Sequence, residues 1–178
     1  MTEMDIFTVM RTVIMTVTGV SECILADQRG DISPSVPYAS VRPIQSLRER
    51  GQANIYKTNA ANNQVQYDIR AQIIADCNVN FYRGDAMTYA QMLKQCNKRP
   101  DISMYLMKQK IGWLGSDAPN NLTALQAGSW EHRAQITCRL MYETSDVSLI
   151  NNILSVGLAL QNEKGNQIAN ADITLHTT

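Results

Sequence analysis

Side chains able to do acid–base, nucleophilic or metal chemistry are few in this chain, and they are scattered. His132 and His176 are the only histidines in 178 residues, and two imidazoles so far apart do not make a metal set. His132 stands in an alternating stretch, on the side shared with Trp130, Ala134 and Ile136. A histidine there reads as a core or interface residue. Its neighbours Glu131 and Arg133 project to the other side, so the three do not converge. The 4 cysteines, Cys23, Cys77, Cys96 and Cys138, form no CxxC pair. Their spacing suits buried free thiols in a reducing compartment better than disulfides or a metal.

Recognisable catalytic signatures are missing as well. No glycine-rich phosphate loop follows a strand, and neither GxSxG nor HExxH occurs. No carboxylate pair at helical spacing faces an apolar pocket. Arg29-Gly30-Asp31 is a three-residue match in a turn, which chance explains. Aromatics make up 6% of the chain and are not interleaved with basic residues, so no base-stacking platform is expected. No catalytic residue, cofactor or metal is therefore expected. The chain reads as a structural or assembly protein; a small cytosolic ligand-binding protein comes next and an enzyme third.

The elements that hold these residues are dominated by one strand. Every odd position from Val65 to Phe81 is apolar or small, and the even ones are polar except Ile74 and Tyr82. Side chains alternate across a strand, so the pattern describes a buried and a wet face. At about 3.3 Å per residue the strand spans roughly 55 Å, far more than an ordinary one. Either a bulge bends it or it reaches past its own domain. A second alternating strand runs from Trp130 to Glu143. Residues 150–160 alternate again, and Ile168–Leu175 closes a hairpin after the turn Glu163–Asn166.

Helices come first and in the middle. Residues 3–18 carry Met4, Phe7, Met10, Ile14 and Val17 at helical spacing, with Thr2 and Asp5 as a capping box and Gly19 as the stop. Gly84-Asp85 opens a helix to about Asn97, with Ala86, Tyr89, Ala90, Leu93 and Cys96 as its inner stripe. A shorter helix follows from Asp101 to about Lys110. Cys23–Ala26 and Tyr38–Ile44 are short strands, the second an edge strand because Pro37 and Pro43 bound it. Residues 112–121 read as a linker whose Trp113 plugs the core. The expected fold is α+β, a largely antiparallel sheet with long strands and helices packed on one face.

A chain of this length holds one domain, 1–178, more comfortably than two. Its 16 basic and 16 acidic residues cancel, which argues against a surface built throughout to grip nucleic acid. No run of about 18 apolar residues offers a membrane span, and the N-terminal run lacks the pattern of a signal peptide. Residues 45–64 read as a long polar loop in which Arg48, Arg50 and Lys57 face only Glu49. A loop of that length is a functional one or a solvated tip. Arg48, Arg50, Lys57 and Asn59 are accordingly the candidate assembly contacts. The role of residues 161–178 stays open.

The order of elements resembles a known family. The proline-bounded Pro37-Tyr38-Ala39-Ser40-Val41, the ending Val79-Asn-Phe-Tyr-Arg-Gly84, and the helix opening Asp85-Ala-Met-Thr-Tyr-Ala90 carry the likeness. So does Asn121-Leu-Thr-Ala-Leu125 followed by Glu131-His-Arg-Ala134. Together they look like the neck or tail terminator proteins of tailed bacteriophages, over roughly residues 3–160. That resemblance implies a virion protein, assembled in the host cytoplasm, that forms a ring, commonly of six subunits. The ring caps the tail tube, meets the head connector and, in some tails, the sheath, and lets the genome pass. It implies no active-site residues and no membrane. Other tail components, tube, collar or baseplate subunits, share this layout.

Overall fold

The computed structural model describes residues 3–27, 34–59, 64–126, 128–151 and 155–174. Thr2, the Arg29–Asp31 triplet and His176 lie outside them. Helix α1 spans Glu3–Thr18 and buries Ile6, Met10, Val13, Ile14 and Val17, whereas Met4 is exposed. The buried stripe is thus turned slightly from the expected one. Its threonines fit a helix because the hydroxyls of Thr8, Thr12 and Thr18 donate to the carbonyls four residues back, at 2.8, 3.0 and 2.8 Å. Gly19, at φ 71°, takes the left-handed turn that ends it.

Eleven strands follow from the described residues: β1 (Glu22–Leu25), β2 (Tyr38–Glu49), β3 (Asn54–Asn59), β4 (Gln64–Tyr82), β5 (Ile111–Ser116), β6 (Asn120–Asn121), β7 (Ala124–Gln126), β8 (Ser129–Glu131), β9 (Arg133–Asn151), β10 (Ser155–Gln161) and β11 (Gln167–Thr174). Helices α2 (Ala86–Gln95) and α3 (Pro100–Lys108) lie between β4 and β5, joined by a single 3₁₀ turn. The main sheet runs β1-β2-β4-β9-β5, with β3 on β4 and β6 on β9. Only β1 and β2 pair in parallel among the strand pairs described. The expected α+β class, with a mostly antiparallel sheet and an N-terminal helix, is what the chain adopts.

Several boundaries differ from expectation, each for a physical reason. β2 is not an edge strand, since it lies between β1 and β4. The Val41 carbonyl accepts from the Ala26 N–H at 2.8 Å, so Val41 directs its backbone toward β1. Two residues on, Pro43 points the same way, beyond the last residue of β1, and removes no bond to β4. The supposed linker 112–121 holds β5 and β6, both paired with β9. Two glycines and a proline concealed the strand there. Residues 45–64 are mostly strand rather than loop: β2 continues to Glu49, and β3 pairs with β4 from Asn54↔Arg70 to Asn59↔Val65. Polar residues on a two-sided solvated ribbon give no alternation to read.

The chain divides into two compact units: Met1–Ala53 with Ala71–Thr144, and Asn54–Arg70 with Ser145–Thr178. Both long strands belong partly to each. In the first unit, Ile73, Ala75, Cys77, Val79 and Phe81 of β4 and Ala134, Ile136, Cys138, Leu140 and Tyr142 of β9 form one buried face. The three helices cover it with Met10, Ile14, Ala90, Leu93, Ile102 and Leu106. In the second unit, Val65 is the one buried side chain among the described residues. Ile69, expected inside, is 39% exposed, because the alternation of β4 continues where no helix covers it.

Candidate assembly surfaces

The face of the first unit's sheet that carries no helix is polar by the same alternation. Tyr38, Ser40 and Arg42 of β2 oppose Tyr82, Asn80 and Asn78 of β4. Tyr38 and Tyr82 stack at 4.7 Å with their planes 8° apart. The Arg133 guanidinium lies 5.0 Å over the Tyr82 ring and donates through Nη2 to Asn80 Oδ1 at 3.1 Å. Thr137 Oγ1 donates to Asn78 Oδ1 at 2.9 Å. As β9 advances from Arg133 to Thr137, its contacts step back from Asn80 to Asn78, which marks the pair as antiparallel. Arg139 links Asp76 (3.5 Å) and Asp117 (2.9 Å). A cavity of about 350 Å³ opens among Ser40, Asn78, Asn80, Arg133 and Gln135. Arg133 and Asn80 are paired there, whereas the buried Arg133 Nε has no hydrogen-bond partner among the described residues, and the polar lining suits contact with another polar surface.

Arg83 fixes the end of this face. Its N–H donates to the His132 carbonyl at 2.7 Å, its guanidinium meets Glu131 at 3.8 Å and donates to the Pro34 carbonyl. His132 itself is exposed and precedes β9, and Trp130 is 69% exposed. The alternation that places Ala134 inside does not extend back to these two. Trp130 belongs to the small β7–β8 ribbon, where it pairs with Leu125, and His132 lies between β8 and β9.

The second unit is held by polar contacts. Asp68 accepts from Ser145 Oγ at 2.6 Å and from Arg70 Nε at 2.7 Å, and both hold its carboxyl below the usual range, the Ser145 bond most. Arg70 also lies 4.9 Å over the Tyr56 ring. Most of the unit's described apolar side chains other than Val65 are outside. Ile55 and Ile69 face each other across β3 and β4 and are 63% and 39% exposed. Val156, Leu158 and Leu160 line one face of the β10–β11 hairpin, and Leu160 is 64% exposed. The sequence showed the alternation of that hairpin but not that its apolar face stays uncovered.

The four residues proposed as assembly contacts separate. Arg48 is in β2, paired with Ile74. Arg50 is exposed, its N–H donating to the Gln72 carbonyl and its Nη1 lying 3.1 Å from Met141 Sδ. Both belong to the first unit. Lys57, exposed on β3, and Asn59, at its end, belong to the second. They do not gather in one compact unit. The thiols are all buried; burial pushes Cys23 and Cys96 up to about 12 and raises Cys77 and Cys138 as well. Among the described residues no helix is long and apolar enough to cross a membrane.

Comparison with known proteins agrees with the element order. A search of curated proteins finds no match. A family model described as "Phage neck terminator protein" matches residues 4–166, a span that takes in both long strands, α2, α3, α1 from Met4, and β10 with the turn after it, but not β11. The chain belongs to the phage neck terminator protein family, a family of structural proteins of the virion.

Proposed function

We propose that this chain assembles into a ring, of six copies as in the resemblance noted above, that terminates the tail tube. The ring joins the tail to the head connector and leaves a lumen for the genome. The observation that carries the reading is the second unit, which among its described residues buries one side chain while exposing Ile55, Ile69, Val156, Leu158 and Leu160. Two-stranded ribbons are marginal in water without a hydrophobic partner, and exposed apolar strips of this extent mark contact surfaces. Two different strips on one chain suit head-to-tail contact, which closes into a ring when the rotation permits. Arg48, Arg50, Lys57 and Asn59 would lie at such contacts or beside the DNA path, and a sheath, where the tail has one, would bind outside.

Electron microscopy of the purified full chain, with sedimentation, tests this. Annular particles with a central hole are expected. A chain that stays monomeric at every concentration, or virions that join heads to tails without it, would overturn the reading.

A further inference from the structure

The corner formed by α2, the 3₁₀ turn, α3 and β5 is unlike the rest of the chain. Residues 94–110 hold five basic side chains and one acidic one in a chain whose formal charge is zero. Arg99 is satisfied by Asp101, at 2.7 Å. Lys94, Lys98, Lys108 and Lys110 are exposed and have no acidic partner among the described residues. Between them Met104 and Met107 are 55% and 69% exposed. Three hollows of about 520, 350 and 310 Å³ adjoin here, the first two sharing Lys98 and the first and third sharing Trp113. Their floor includes Val17, Leu106 and Ile111, all buried. The result is a groove of adjoining hollows whose lining combines an apolar floor with Met92 and Met107 and with Lys94, Lys98 and Arg99, while Met104, Lys108 and Lys110 stand on α3 and the turn after it, outside that lining.

We infer that this groove docks an acidic, apolar-bearing segment of another virion protein. Unpaired lysines call for carboxylates, and steer and orient a partner more than they bind it. Methionine thioethers adapt to varied apolar side chains. A phosphate backbone would match the lysines but has no apolar group for the floor, and protein–DNA interfaces are more polar than this one. The inference rests on the proposed function only in taking a neighbouring virion protein as partner.

A zero-length carboxyl–amine cross-linker applied to assembled particles, followed by mass spectrometry, tests it. Links from Lys94, Lys98, Lys108 or Lys110 to Asp or Glu of a different protein are expected. The double variant Lys98→Glu/Lys108→Glu should keep the parent's sedimentation but enter particles at least tenfold less. Links to another copy of this chain would make the groove a self-contact and overturn the inference. So would photo-cross-linking of these lysines to DNA, or their free acetylation in particles without any carboxyl link. Sedimentation of the parent judges the ring separately, so failure of one reading is distinguishable from failure of the other.

Discussion

Cys77 and Cys138 sit on the strands that form the centre of the first unit's core, and both thiols are raised by burial. Such groups stay neutral and unreactive across the physiological range. A thiol reagent at pH 8 should label neither in the native protein and both within minutes once it is unfolded. Raising the pH to 9 should not change the native result. The neighbouring pair Ile136 and Thr137 tests the face assignment more severely. Ile136 is 1% exposed, and Ile136→Asp should prevent folding, because a buried unpaired carboxylate costs several kcal/mol against about 5–15 in total. Thr137 lies on the polar face with a single hydrogen bond to Asn78. Thr137→Val should cost about 1 kcal/mol in a denaturant titration. Alternation made this much legible from sequence. It failed at His132 and Trp130, since spacing alone does not say where a core ends.

Among the elements, the turn from β4 into α2 carries the tightest constraint. Arg83 and Gly84 have φ of 65° and 52°, and a Cβ on Gly84 would lie 3.1 Å from Pro37 Cγ. Gly84→Ala combines left-handed strain with that close approach and should lower stability by about 1 kcal/mol. Asp85→Ala should change little, because its side chain makes no bond to the helix end. Thermal melts of the two variants separate these effects. The helices were legible because apolar spacing agrees with the glycines at their ends, Gly19 closing α1 and Gly84 preceding α2. β3, β5 and the end of β2 were not, because their polar, proline or glycine residues are tolerated by pairing partners that a linear reading cannot see.

At the scale of the molecule, the contrast between the two units decides what mutations do. Leu158 is 53% exposed in the hairpin, so Leu158→Glu should leave the melting temperature within error. In the proposed ring it should shift sedimentation from the large species toward the monomer, and an unshifted profile would remove the hairpin from the contacts. The division into two units was not readable in advance, since it depends on which part of a long strand the helices cover. It also has a consequence for synthesis. Asn54–Arg70 leaves the ribosome well before Ser145 onward, with the 74 residues Ala71–Thr144 between them. At about 5–20 residues per second, that leaves the nascent β3–β4 ribbon without its companions for roughly 4–15 s. Ile55, Tyr56 and Ile69 are then presented on an open strand edge. The window in which this chain is most open to the wrong partner falls before it is complete.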